Sequence, residues 1–148
     1  MGVVTEQEAL SIERACSRLI LDFAFFSDWQ EYESLAALFT PQGRLTRPSG
    51  ETLTGRDAIA GSYRGKASTR ITRHICTNIR IAVESSERAR GLTYAIVYGA
   101  DSSQKPAEHF GIPADARQLV GEFEDEFAMT SEGWRIESRI ARFTMFTA

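Results

Sequence analysis

A chain of 148 residues is the size of one ordinary domain, and 43% hydrophobic with 25% charged residues fits neither a disordered nor a membrane-embedded protein. The formal net charge of -3 argues against a nucleic-acid binder, which carries an excess of Lys and Arg to meet phosphates. No apolar run reaches the length of a membrane span, so the expectation is a single cytoplasmic domain over residues 1–148, with no nucleic-acid or membrane partner.

Met1 to Leu10 lacks the basic and apolar stretches of a secretion signal, and Thr5 and Glu6 fall out of place for lipidation of Gly2. Thr5-Glu6-Gln7-Glu8 reads as a capping box. Beyond it Ile12, Cys16, Leu19, Ile20, Phe23 and Phe26 recur at helical spacing, which predicts a helix to about Ser27. Trp29, Tyr32, Leu35, Ala36 and Phe39 predict a second helix, ended by Thr40-Pro41, and the two meet near Asp28.

Gly43 to Thr54 holds two short alternating runs around Pro48-Ser49-Gly50, a hairpin signal. Gly55-Arg56-Asp57-Ala58-Ile59 opens a third helix to about Lys66. Strands follow over residues 69–83, 88–100, 118–129 and 134–146. Between the middle two, residues 101–115 form a polar loop with His109, of a length suited to a lid, an entrance lip or plain mobile surface. Cys16 and Cys76 fall in no metal-like or redox pairing and read as reduced structural thiols. Helices first and strands after predict α+β layering on an antiparallel sheet.

Pairing Met129 with Trp134 puts Phe123, Phe127, Met129, Trp134, Ile136 and Ile140 on one face. The other face then carries Glu122, Glu124, Glu126, Arg135, Glu137 and Arg139. Asp125 falls within the apolar face, where it is either paired with Ser138 or an arginine, or functional. In the earlier hairpin Thr72, His74, Cys76, Asn78 and Arg80 share a face, opposite Ile71, Ile75, Ile79, Ile81 and Val83. The next strand sets the small Gly91, Thr93, Ala95, Val97 and Gly99 on one side. Small side chains beside a polar row either leave a pocket or face solvent. With a pocket, Tyr94, Tyr98 and the isoleucine face lie outside it, and self-association through the outer sheet into a homodimer would bury them.

Several segments, in this order, carry a resemblance: Phe26-Ser27-Asp28 with Tyr32 and Leu35-Ala36-Ala37-Leu38-Phe39; Gly55-Arg56-Asp57-Ala58-Ile59; Arg73-His74-Ile75-Cys76-Thr77-Asn78; and Gly133-Trp134-Arg135-Ile136. On them the chain resembles a SnoaL-like member of the nuclear transport factor 2-like superfamily, which includes scytalone dehydratase and ketosteroid isomerase. The resemblance covers nearly the whole chain. It implies a cone-shaped, curved, mixed but mostly antiparallel sheet with N-terminal helices packed over its concave face and one pocket.

In the dehydratase-like branch an Asp at the first helix junction holds a His on the first long strand, and the matching positions here are Asp28 and His74. The carboxylate would fix the imidazole tautomer and leave its other nitrogen to move a proton. The competing reading is Asp28 as a helix cap and His74 as a satisfied polar residue. The dehydratase's second His falls on Gly99 here, and Ser27 replaces its Tyr. The resemblance implies a lyase or isomerase without metal or organic cofactor, acting next to the carbonyl of a small hydrophobic polyketide-, steroid- or aromatic-like molecule. Thr72, Asn78 or Asp125 would hold the enolate oxygen, and Phe26, Trp29, Tyr63, Phe123 and Phe127 would supply apolar walls. Two other readings share the fold: a non-catalytic ligand-binding or assembly module, and an accessory subunit of a ring-hydroxylating oxygenase.

Overall fold

Thr5 and Glu8 close the predicted capping box: the Glu8 N–H donates to Thr5 Oγ1 at 3.2 Å and the Thr5 N–H to Glu8 Oε2 at 2.8 Å. Helix α1 (Glu6–Asp28) starts there and buries Ile12, Cys16, Leu19, Ile20 and Phe23, the stripe read from the sequence. The structure, a computed structural model, describes residues 2–148, so the Met1 of the Met1-Gly2 start lies outside the described residues. Among those residues no helix is long and apolar enough to cross a membrane.

The second helix is shorter than its apolar pattern suggests. Trp29 and Gln30 form the turn that ends α1, and α2 spans Tyr32–Ala36 alone. Phe39, Thr40 and Pro41 belong to strand β1 (Phe39–Thr46) instead. Pro41 sits where β1 pairing slips between Phe39 and Arg44, a place where its missing N–H costs no ladder bond. Strand β2 (Thr52–Thr54) returns antiparallel through a turn in which Gly50 adopts φ 92°. Helix α3 (Arg56–Arg64) follows, and the Arg56 guanidinium donates twice to the Phe39 carbonyl, at 2.9 and 2.7 Å, fixing α3 on β1.

Strands β3 (Arg70–Val83), β4 (Arg88–Asp101), β5 (Gln118–Thr130) and β6 (Gly133–Thr147) complete a sheet of six in the order β2-β1-β6-β5-β4-β3. All neighbours are antiparallel except β1 and β6. This is the mixed, curved, cone-like α+β fold expected, with α1 lying over the concave face. Phe23 of α1 meets Phe39 and Phe123 edge-on there, at 6.1 and 5.9 Å between ring centroids.

Bulges bend the sheet and overturn parts of the simple alternation. In β3 the pairing slips between Thr77 and Arg80, and Asn78 takes φ 51°. Thr72, His74 and Cys76 face inward before that point; Ile79, Ile81 and Val83 pack on the core after it. The expectation that all the isoleucines share an outer face is thereby corrected, as is the inward Asn78, which is exposed. The β5–β6 hairpin keeps the predicted Met129–Trp134 pair, but slips by one residue at Glu137. That slip turns Arg139 inward, opposite Asp125, and Ile140 outward, the reverse of the unbroken count.

Candidate active site

Asp28 is the last residue of α1, where a carboxylate opposes the helix dipole and gains nothing locally. Its partners come from β3. Thr72 Oγ1 donates to Asp28 Oδ1 at 2.9 Å, the His74 backbone N–H donates to Oδ2 at 2.9 Å, and His74 Nδ1 lies 2.6 Å from Oδ1. Gln30, turned back with φ 58°, donates from Nε2 to the carbonyls of Ser68 and Arg70 and ties the end of α1 to the start of β3. The side chains of Asp28 and His74 are 8% and 16% exposed. A carboxylate can only accept, so Nδ1 carries a proton, and in the neutral imidazole Nε2 is the nitrogen left with a lone pair.

His74 borders a cavity of about 390 Å³ between the helices and the concave sheet. Phe23, Leu45, Phe123, Ala95, Val97 and Ala141 give it apolar walls, and the small residues of β4 and β6 provide the space. Gly121 lines it too, at a point where β6 passes so close that a Cβ would collide with the Arg142 carbonyl. Tyr32 and Tyr63 also line the cavity, stacked with centroids 5.4 Å apart. Burial pushes the Tyr63 phenol up to about 12 against the opposing charges of Arg139 and Arg47, and desolvation raises that of Tyr32. Both phenols therefore stay protonated and can donate a hydrogen bond.

A family model described as a SnoaL-like domain matches residues 8–140. The chain belongs to the SnoaL-like family. Solved structures share its fold. A candidate scytalone dehydratase from Novosphingobium aromaticivorans is 24% identical, with 97% of this chain and 91% of that one covered and a TM-score of 0.81. A type 2 hexachlorocyclohexane dehydrochlorinase, LinA, is 16% identical over 97% and 92% of the two chains, with a TM-score of 0.80. A candidate aromatic ring hydroxylase from Novosphingobium aromaticivorans is 17% identical over 92% and 91%, with a TM-score of 0.73. No curated protein matches the chain.

Of the residues read from the sequence of this SnoaL-like chain, Thr72, His74, Tyr63 and Phe123 line the cavity, and Asp28 stands behind His74. The others lie elsewhere. Trp29 is 59% exposed beneath the Arg73 guanidinium, Phe26 packs on the edge of the core, and Phe127 is sealed within it. Asn78 faces out at its bulge, and Gly99 is not among the lining residues, its carbonyl accepting from the Asp115 N–H at 2.7 Å. Asp125 is held by Arg139 through two bonds of 2.7 and 2.8 Å, both side chains at 0% exposure. The Arg139 guanidinium also lies between the rings of Phe23 and Phe123, at 4.3 and 4.0 Å. Asp125 is thus occupied by an arginine and unavailable to an enolate. Among the described residues of the 101–115 loop none lines the cavity, and His109 is exposed.

The sequence reading missed the polar rim: Gln30, Arg47, Lys66, Arg70 and Arg142. They come from four separate chain segments, and no local spacing relates them. Burial pushes the Cys16 thiol up to about 12, with the Asp125 charge adding to it, and raises Cys76 too, as structural thiols require. Among the described residues no three His, Cys, Asp or Glu side chains converge as a metal site would need.

Proposed function

We propose that this chain is a lyase or isomerase of small, hydrophobic carbonyl compounds in which His74, oriented by Asp28, removes a proton next to the carbonyl. The 2.6 Å contact between His74 Nδ1 and Asp28 Oδ1, beside a largely apolar cavity, carries this reading. Nε2 accepts the proton, and the imidazolium that forms is stabilised by the buried carboxylate. The electron pair moves onto the carbonyl oxygen. With Asn78 outside, Thr72 bonded to Asp28 and Asp125 bonded to Arg139, that oxygen is assigned to the phenols of Tyr32 and Tyr63. The enolate then expels a β-hydroxyl, which takes the imidazolium proton and leaves as water, or is reprotonated farther along a conjugated system to shift a double bond. No metal or organic cofactor enters this scheme.

Residues 1–148 are read as one domain around this site, paired in a homodimer through the outer sheet face. Ile75, Leu92 and Tyr94 support that pairing, being 49%, 37% and 48% exposed. The test of the chemistry is deuterium wash-in from heavy water into a panel of cyclic β-hydroxy ketones and unconjugated enones, followed by NMR. Wild-type protein should exchange the proton next to the carbonyl. His74→Asn should slow it by about 10²–10⁴-fold while ligand affinity stays within a few-fold. Equal exchange by both proteins would leave a binding module.

A further inference from the structure

Four cationic side chains border the cavity, Arg47, Lys66, Arg70 and Arg142, against Glu122 as the one lining carboxylate among the described residues. Two of the cations are satisfied. Arg70 donates to Asp115 at 2.6 Å, and Arg142 donates to Glu122 at 2.9 Å and Glu124 at 2.6 Å. The other two are held less tightly. Arg47 keeps a loose ion pair with Glu51 at 3.6 Å, beyond hydrogen-bond reach, and no ion pair is found for Lys66 among the described residues.

Backbone structure fixes where these two charges stand. Arg47 sits in the β1–β2 turn, its N–H on the Glu51 carbonyl and its own carbonyl on the Gly50 N–H, both at 2.8 Å. Lys66 follows the end of α3, with its N–H on the Tyr63 carbonyl at 3.0 Å and its ammonium 4.3 Å from the centre of the Tyr63 ring. Desolvation at the mouth, and then repulsion by Arg47, lower the Lys66 ammonium below the usual lysine range. Two like charges bordering one cavity, with only a loosely held carboxylate at Arg47, repel each other in the empty protein and are complementary to an anion.

We propose that the molecule taken up by this cavity carries a carboxylate, bound at the mouth by Arg47 and Lys66 while its carbonyl end reaches Tyr63 and His74. This rests on the proton-transfer reading of the cavity and narrows its substrate to hydrophobic keto acids. Arg47 offers a planar fork to both carboxylate oxygens and Lys66 a point charge. The anchor also sets which carbon faces Nε2, because a molecule held at one end cannot present its other end to His74.

A matched pair of probes tests it: 2-naphthoate and 2-naphthamide, alike in shape and differing in charge, titrated by calorimetry into the full chain. The acid should bind about 10-fold or more tightly than the amide, and lose that margin as salt is raised. Arg47→Gln with Lys66→Gln should erase the preference while leaving the amide unchanged, which also reports that the variant is folded. Lys66→Arg should keep it. Equal binding of the two probes by wild type, binding of neither, or a preference that survives the double substitution would overturn the proposal. His74→Asn should keep the acid preference, so loss of proton exchange with the preference intact would count against the chemistry and not against the anion site.

Discussion

Asp28 holds His74 from two sides, one carboxylate oxygen on its backbone N–H at 2.9 Å and the other at its ring Nδ1, 2.6 Å away. Main chain and imidazole are thereby oriented by one group, and rotation of the ring is opposed by the position of the strand itself. Asp28→Asn keeps the shape and an acceptor oxygen but removes the charge that steadies an imidazolium. Exchange measured by deuterium wash-in should fall about 10²–10⁴-fold. Stability should fall by only about 1–2 kcal/mol, read from a urea melt. An unchanged exchange rate would detach Asp28 from the chemistry.

The Asp125–Arg139 pair is fully enclosed, so removing either partner strands a charge in the core. Asp125→Leu or Arg139→Met alone should cost about 3–5 kcal/mol, whereas both together should recover most of it. Urea denaturation of the two single variants and the double variant measures this directly. If the single and double losses simply add, the pair is not the unit it looks to be.

Gly121 faces the cavity where the backbone of β6 passes close by, and a methyl group there meets the Arg142 carbonyl. Gly121→Ala should destabilise by about 1–3 kcal/mol through overpacking. It should also weaken ligand binding, since the strands must part or the cavity must narrow. A variant with wild-type melting and wild-type affinity would show that this wall yields easily.

Alkaline pH should weaken the fold. Cys16 is raised from 9.0 to about 12 and Tyr63 from 10.0 to about 12, chiefly by burial. Below the unfolded values both states hold these protons and the full stability is present. As pH climbs from about 9 towards 12 the unfolded chain ionises first, so stability drops by up to about 1.4 kcal/mol per pH unit for each group. Urea midpoints between pH 7 and 11 should decline over the upper part of that range, and a flat profile would contradict the burial of these groups.

Much of this architecture was legible because the signals were local. The Thr5–Glu8 box, the α1 stripe and the Met129–Trp134 pairing each depend on residues near one another in the chain. What was misread lies beyond a bulge. Counting by twos assumes an unbroken pleat, so an extra residue at Glu137 exchanged Arg139 and Ile140, and the turn at Asn78 exchanged the two halves of β3. Signals were present: Asp125 on an apolar face required an inward cation, and Asn is among the residues that tolerate positive φ. The second helix was overextended because Phe39 serves a strand as readily as an apolar stripe. The Arg47–Lys66 pair brings together two turns that nothing in the primary structure connects.

The kink at Asn78 makes β3 two instruments on one length of backbone. Its first half presents Thr72 and His74 to the cavity, while its second half presents Ile79, Ile81 and Val83 to the hydrophobic interior. Substitutions downstream of the kink can therefore alter the packing of the interior without touching Thr72 or His74, which are tied to Asp28 at the end of the long helix. Lining the cavity and filling the core are thus divided between opposite ends of a single strand.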